Sequence, residues 1–164
     1  AASDVYKADI IYSSNKKVGN GTVKIVFKGN YSGTITKIFK IVPKKVSLTK
    51  ATNIKGKKVK LGWKKVSGIS GYEIQYGINK SFKKAKTTTA KSSLKTKTIK
   101  KLKNKKKYYF RMRAYKKVSG TKVYGVYSSK KTLKLKVIIK AGAETCLKLD
   151  AILIDNVDIF VIIK

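Results

Sequence analysis

An alternating strand pattern near the middle of the chain constrains the fold most. Tyr108 begins a run in which every second residue is apolar: Phe110, Met112 and Ala114. Leu102 lies six positions before Tyr108, in a loop that would deliver this tyrosine to the start of the strand. A tyrosine at that position can hydrogen-bond to the preceding loop and fix a corner between two packed sheets. The pattern predicts a β-sandwich and gives no indication of catalysis.

The other residues of this strand occupy the alternate positions and are predicted to face away from the core. They are Tyr109, Arg111, Arg113 and Tyr115. Rings interleaved with cations can stack sugars or bases. The favoured interpretation is that these side chains pack across neighbouring strands on a solvated sheet face.

The distribution of charge limits the partners that the chain can bind. The 164 residues include 41 lysines and arginines but 7 acidic residues, which gives a formal net charge of +34. Between Ile10 and Ala143 the only acidic residue is Glu73, so ion pairing cannot neutralise the lysines locally. Such a surface suits a polyanion: teichoic or other anionic wall polymers, acidic polysaccharide, nucleic acid or anionic lipid.

Lysine supplies nearly all of this charge, because Arg111 and Arg113 are the only arginines. Base-edge recognition favours the planar guanidinium, so this balance disfavours sequence-specific nucleic-acid binding but leaves non-specific attraction open. A second interpretation also stays open: the lysines solvate the outer faces and prevent edge-to-edge pairing of strands.

Residues 1–42 are predicted to form a β-hairpin that belongs to a partial domain. Apolar side chains alternate with polar ones in residues 22–28 and again in residues 34–42, and the glycine-bounded residues 29–33 between them are a turn signal. A lone hairpin is marginally stable in water, so this unit is too small to stand by itself. Pro43-Lys44-Lys45 is the predicted linker to the next unit.

Residues 43–136 are predicted to form a seven-stranded antiparallel β-sandwich, which makes the fold class all-β. Alternating runs separated by glycine and serine turns give about seven strands in roughly ninety residues, the size of a two-sheet sandwich. Residues 83–98 are hard to register. The turn Ser119-Gly120-Thr121 leads into one last strand, with Leu133 and Leu135 buried. The predicted core consists of Leu61, Trp63, Tyr72, Ile74, Leu102, Tyr108, Phe110, Met112 and Leu133.

With these residues in place, residues 44–136 resemble a fibronectin type III domain. The resemblance is carried by Trp63, Gly71-Tyr72-Glu73-Ile74-Gln75-Tyr76, the Leu102 to Tyr108 corner with the strand that follows it, and Gly125-Val126-Tyr127-Ser128. The lysine-rich style is similar to modules in large surface proteins of Gram-positive gut bacteria. The resemblance implies a spacer or adhesion module displayed outside the cell and does not imply a ligand. The Arg-Gly-Asp tripeptide of some family members is absent.

Residues 8–43 resemble the closing part of an immunoglobulin-like bacterial surface repeat. Residues 11–19 and Gly29-Asn30-Tyr31-Ser32-Gly33-Thr34 carry this resemblance. The opening strands of such a repeat are missing, so we expect the chain to begin within a domain. No signal peptide is evident, so the chain is expected either to be an internal piece or to have lost its targeting segment.

Residues 137–164 change in character and have no counterpart in the resembled family. Lysine becomes rare, and Asp150, Asp155 and Asp158 lie among apolar residues. This tail is either an added hairpin that turns at Asp155-Asn156 or an adventitious end, and the second interpretation is favoured. Residues 160–163 are apolar, too short to span a bilayer and prone to aggregation if exposed.

The residue types that carry chemistry are nearly absent. The chain has no histidine, and its one cysteine, Cys146, therefore has no obvious activating base and no disulfide partner. Glu73 has the parity opposite to Tyr72 and Ile74, so it is predicted to face outward, unsuited to catalysis or to an isopeptide crosslink. The three tail aspartates lack the spacing of a calcium loop. We therefore predict no catalytic, cofactor-binding or metal-binding residues, no cofactor and no enzymatic activity.

The sequence thus predicts a non-enzymatic extracellular spacer or adhesion module of a bacterial cell-surface protein. Its expected partners are neighbouring domains of a longer parent chain and anionic cell-wall polymers or polysaccharide, with no sequence-specific nucleic acid and no membrane span. Two alternatives remain: a carbohydrate-binding accessory module of a secreted enzyme, which would use the outward tyrosines, and non-specific nucleic-acid binding, which would depend steeply on salt.

Overall fold

The computed structural model describes residues 7–139 and 160–161 of the chain. The regular secondary structure of these residues consists of β-strands alone, which confirms the predicted all-β class. The strands fall into a small N-terminal sheet, two sheets that pack as a sandwich, and one short pair near the C-terminus.

The N-terminal sheet contains β1 (Lys7–Ser13), β2 (Gly19–Lys28) and β3 (Thr34–Ile41), all antiparallel and in that order. The predicted hairpin is present as β2 and β3. The turn between them closes with a hydrogen bond from the Phe27 amide to the Gly33 carbonyl at 3.1 Å. β1 was not predicted from the sequence, because Ile10, Ile11 and Tyr12 are consecutive apolar residues without strand alternation.

One face of this N-terminal sheet is apolar and largely uncovered. The register places Ile10, Ile25 and Ile35 side by side on it. Ile10 is 58% exposed and Ile35 is 41% exposed. Among the described residues, the buried apolar side chains begin only at Val46, so the N-terminal sheet contributes none of them.

The sandwich is built from eight antiparallel strands in two sheets. One sheet has the order β4-β5-β8, and the other has the order β10-β9-β6-β7, with β11 also pairing with β9. The strands are β4 (Leu48–Ile54), β5 (Lys58–Trp63), β6 (Gly71–Gly77), β7 (Lys86–Lys91), β8 (Thr96–Ile99), β9 (Lys107–Val118), β10 (Thr121–Tyr124) and β11 (Lys131–Lys134).

The last predicted strand is divided into β10 and β11, so eight strands replace the predicted seven. The residues between them still bond to β9: the Gly125 amide donates to the Ala114 carbonyl at 2.9 Å, and the Ser128 amide donates to the Met112 carbonyl at 2.7 Å. The Ser128 hydroxyl accepts from the Met112 amide at 3.1 Å. Because this side chain replaces a backbone acceptor, the regular ladder is interrupted there.

The core lies between the two sheets of the sandwich and matches the predicted core closely. Eight of the nine predicted residues are buried, and Leu133 is partly buried. Trp63 packs edge-on against Tyr72, with ring centroids 5.3 Å apart. Each large apolar side chain buried in this way stabilises the fold by about 1.5–3 kcal/mol. The sandwich is therefore stabilised by a buried apolar core, to which the described strands of the N-terminal sheet contribute no buried side chain.

The predicted tyrosine corner is present. The hydroxyl oxygen of Tyr108 accepts a hydrogen bond from the backbone amide of Lys103 at 2.9 Å. Leu102 is buried beside it, and its amide donates to the Lys57 carbonyl at 3.1 Å. A second tyrosine binds a loop in the same way: the Tyr72 hydroxyl accepts a hydrogen bond from the Val66 amide at 2.9 Å. Two phenols thus fix two loops of the sandwich.

The residues that were hard to register, 83–98, form β7 and the start of β8. Lys97 lies on the inner parity of its sheet, opposite Leu61, and its ammonium donates a hydrogen bond to the Thr89 carbonyl of β7. This contact joins the edge strands of the two sheets. An inward charge at a sheet edge also discourages pairing with another strand. Leu94, a large apolar residue of this stretch, is 42% exposed.

The C-terminal pair consists of β12 (Ile138–Ile139) and β13 (Phe160–Val161), which run parallel. The predicted turn at Asp155-Asn156 lies outside the described residues, as does Cys146. No described helix is long and apolar enough to cross a membrane.

Candidate functional site

The outer face of the sheet formed by β10, β9, β6 and β7 carries the most organised cluster of polar and aromatic side chains. Arg111 and Arg113 lie on it, as their parity predicted, and both are partly buried. The register places Gln75 opposite Arg111 and Glu73 opposite Arg113 on β6. Strand alternation alone therefore brings both arginines of the chain to one face, each beside an oxygen acceptor.

Three residues contact the guanidinium of Arg111. Its guanidinium carbon lies 4.2 Å from the ring centroid of Phe82 and 4.0 Å from that of Tyr127. Its Nε donates a hydrogen bond to Oε1 of Gln75 at 2.9 Å. The guanidinium carbon thus lies over two rings, and these contacts together with the hydrogen bond restrict its orientation.

Arg113 has a similar environment with a charged partner. Its guanidinium carbon lies 3.8 Å from the ring centroid of Tyr124 and 4.5 Å from that of Tyr127. Its Nε donates to Oε1 of Glu73 at 2.7 Å, and the arginine side chain is 25% exposed. Tyr127 therefore contacts both arginines. We call the five residues Phe82, Arg111, Tyr127, Arg113 and Tyr124 the arginine ladder.

Glu73 has the outward parity that the sequence predicted, but it does not face open solvent. Its side chain is 13% exposed. The same oxygen that accepts from Arg113 also accepts from the Tyr127 hydroxyl at 3.0 Å. Tyr127 lies in the segment between β10 and β11, which stays hydrogen-bonded to β9 through Gly125 and Ser128. The only carboxylate within the sandwich is therefore already bound to a cation and a phenol.

The environment of Tyr127 affects its ionisation. Burial raises the pKa of its phenol, and the hydrogen bond to Glu73 raises it further, whereas the charges of Arg113 and Arg111 act in the opposite direction. The phenol therefore stays protonated and keeps its hydrogen bond to the carboxylate over the whole physiological range.

The two outer tyrosines proposed for sugar stacking are partly occupied. The ammonium of Lys122 lies 4.9 Å from the ring centroid of Tyr115, and that of Lys107 lies 5.8 Å from the ring centroid of Tyr109. Tyr115 also packs against Tyr124, with centroids 5.9 Å apart. Each of these rings therefore already has a cation beside it, which competes with a stacked sugar.

Part of this site was predictable from the sequence. Strand parity indicated Arg111 and Arg113, and Tyr127 stood out only as part of a family-like segment. Phe82, which is 8% exposed and lies in the loop between β6 and β7, was not predicted. Loop residues carry no periodicity, so only the folded path of the chain brings this ring to the arginine.

Two other features offer little chemistry. The described residues contain no group of three or more histidine, cysteine or acidic side chains that could hold a metal ion. An open cavity of about 540 Å³ lies where the loop between β1 and β2 meets Val118, and its lining includes Lys16, Lys17 and Asn20. The arginine ladder offers cations and rings for binding, and the Glu73 carboxylate beside it is already bound to Arg113 and Tyr127 and is not available as a base.

Comparison with known proteins agrees with this architecture. A crystal structure of the chicken CNTN1 FN1-FN3 domains is similar, with a TM-score of 0.52 and 15% identity, over 75% of this chain and 45% of that one. This chain thus spans less than half of that structure. A second structure, described as a myokine structure, gives a TM-score of 0.46 and 12% identity, over 57% of this chain and 97% of that one. A search of the curated proteins found no match.

The sequence profile of the fibronectin type III domain matches residues 44–125, half of the chain. The chain therefore belongs to the fibronectin type III family, as the residues around Trp63, Tyr72 and Tyr108 predicted. Domains of this family are typical extracellular modules. The matched range begins just after Pro43 and ends between β10 and β11, and the sandwich continues to the end of β11.

Proposed function

We propose that this chain is a non-enzymatic extracellular module that spaces or attaches domains of a bacterial cell-surface protein. The sandwich provides the rigid unit. Its lysine-rich outer faces contact anionic polymers of the cell envelope.

One observation carries the polyanion part of this proposal: the described residues offer almost no carboxylate to their lysines. Asp9 and Glu73 are the only acidic residues between positions 7 and 139. Asp9 pairs with Lys28 at 2.5 Å, and Glu73 is already bound to Arg113. The described residues therefore offer no free carboxylate to the remaining lysines, which favours contact with a polyanion.

The lysines of the β4–β5 face are suited to this contact. Lys50 and Lys60 are exposed and lie on the parity opposite to the buried Leu61. A polymer lying along this face would meet ammonium groups without having to displace an internal carboxylate.

Binding to isolated bacterial cell walls tests this part. The double variant Lys50→Gln/Lys60→Gln should bind more weakly than the unchanged chain, and the loss should shrink as salt is added. A matched control is Lys24→Gln/Lys40→Gln, two exposed lysines on one face of the N-terminal sheet. Both variants lose the same charge. Equal binding of the two variants would contradict a specific role for the β4–β5 face, and no wall binding at low salt would remove the polyanion part altogether.

The N-terminal sheet supports the idea that the module is one unit of a longer series. Its apolar face carries Ile10, Ile25 and Ile35 without any described layer above it. A sandwich needs a second sheet over such a face. We propose that the three strands are one layer of an immunoglobulin-like repeat and that the second layer comes from residues outside those described.

Binding of a hydrophobic dye tests the uncovered face. The chain should bind the dye, and Ile10→Ser should reduce the binding, while Ile11→Ser on the opposite face should change it less. An unchanged signal in the Ile10→Ser variant would show that this face is covered in solution.

Carbohydrate binding through the outward tyrosines is a weaker candidate, because Tyr109 and Tyr115 already contact ammonium groups. Glycan binding that persists at high salt and is lost in Tyr109→Ala or Tyr115→Ala would favour it. Non-specific nucleic-acid binding would instead fall steeply with salt and show no sequence preference.

A further inference from the structure

From the arginine ladder, we infer that Arg111 forms a specific oxyanion site: its guanidinium edge takes a phosphate or sulfate group, of the kind that an anionic polymer carries. This inference deepens the proposed function and rests on its polyanion part. It differs in mechanism, because the recognition depends on a rigid fork and not on the summed lysine charge.

The charges on this face leave Arg111 without a compensating carboxylate. Glu73 binds Arg113 and Tyr127, whereas the partner of Arg111 is the neutral amide of Gln75. Within the group formed by Arg111, Arg113 and Glu73, two cations share one carboxylate, and the cation without it is Arg111, which only an amide holds. A bound oxyanion would supply the missing negative charge.

The geometry directs a ligand to the edge of the guanidinium. The guanidinium carbon lies over the rings of Phe82 and Tyr127, 4.2 and 4.0 Å from their centroids, and Nε donates to Gln75. No described residue accepts a hydrogen bond from the two terminal nitrogens. These nitrogens form a planar fork that matches two oxygens of one phosphate or sulfate group. Because these contacts already restrict the orientation of the guanidinium, little side-chain freedom is lost on binding.

Lysine could not serve in the same way at this position. An ammonium is a point charge on a flexible stem, and it neither stacks between two rings nor offers a planar pair of donors. Replacement of Arg111 by lysine therefore keeps the charge and removes the fork. This substitution separates the site from the diffuse lysine field that the proposed function uses.

The test measures binding of inorganic tripolyphosphate and, in a parallel arm, of dextran sulfate to the purified chain. Arg111→Lys should weaken tripolyphosphate binding by about tenfold. The control, Lys24→Gln, removes one charge from the distant N-terminal sheet and should change the affinity by less than about twofold. The second arm distinguishes phosphate from sulfate as the preferred group.

Two further measurements make the outcome decisive. Because the chain contains only two arginines, the Nε–H signal of Arg111 can be followed by NMR during titration, and it should shift more than that of Arg113. Gln75→Glu gives Arg111 an internal carboxylate and should also weaken binding. Fluorescence of Trp63 confirms that each variant is folded, since this is the only tryptophan and it is buried.

A folded Arg111→Lys variant that binds tripolyphosphate within twofold of the unchanged chain would overturn the site. So would an equal loss in the Lys24→Gln control, because that result would point to net charge alone. Failure of the cell-wall experiment with intact tripolyphosphate binding would remove the proposed wall contact and leave this site in place.

Discussion

The hydroxyl of Tyr127 donates a hydrogen bond to Oε1 of Glu73 over 3.0 Å, although the two residues are 54 positions apart. The same oxygen also accepts a hydrogen bond from Nε of Arg113. One carboxylate thus fastens the segment between β10 and β11 to the outer face of the sheet.

Glu73→Gln should destabilise the sandwich by about 1–2 kcal/mol, because it replaces a charged acceptor of two hydrogen bonds by a neutral one in a partly buried place. Urea unfolding followed by Trp63 fluorescence measures the change. Asp9→Asn is the matched control: its pair with Lys28 has side chains that are 52% and 55% exposed, so the loss should be below about 0.5 kcal/mol. A larger effect in the control than in Glu73→Gln would contradict the role of Glu73.

Tyr108→Phe should cost about 1 kcal/mol of stability, because the Lys103 amide loses the phenol oxygen that accepts its hydrogen bond. The apolar packing of the ring stays in place, so the change isolates the tyrosine corner. Tyr109→Phe removes a phenol on the outer face next to it and should change the unfolding midpoint little. If both substitutions had the same effect, the corner hydrogen bond would not be the cause.

Gly125→Ala should destabilise the sandwich by more than about 1 kcal/mol, because a Cβ at this position would lie 2.5 Å from the carbonyl oxygen of Pro43. The clash is with backbone, so relief requires the linker or the segment after β10 to move. Gly62→Ala is the control, since the nearest atoms there lie 3.7 Å away. Thermal unfolding of both variants measures the difference, and equal midpoints would show that the linker does not pack tightly against Gly125.

Tyr127 should make stability fall at high pH. Its pKa is raised above the ordinary 10.0 in the folded chain, so the protonated phenol contributes stability below that value, and this contribution is lost as the pH rises through the raised pKa. The unchanged chain should therefore be more stable than Tyr127→Phe near pH 8 by about 1 kcal/mol, and the difference should shrink towards pH 11.

Urea unfolding of both chains across this range checks the pH prediction. Both chains contain the same lysines, so the difference between them isolates Tyr127. A difference that stays constant up to about pH 11 would contradict the raised pKa.

Much of the sandwich could be predicted because strand alternation is local. The spacing of Phe110, Met112 and Ala114 predicts that they share the inner face of the strand, and all three are buried. The corner at Tyr108 was also predictable, since it depends on a tyrosine at a fixed distance after a loop leucine. The division of the last strand was not: it depends on the Ser128 hydroxyl, which takes the Met112 amide only once both strands are in place.

The sequence by itself determined the all-β class, the inner and outer faces of the strands, the family and the shortage of carboxylates, because each of these is a matter of residue type and spacing along the chain. Only the tertiary structure decided that the Arg111 guanidinium lies over the rings of Phe82 and Tyr127. It also decided that Glu73 is bound to Arg113 and largely shielded from solvent. Those contacts join residues on different strands and loops. Their energies depend on distances that exist only after the sheets have packed.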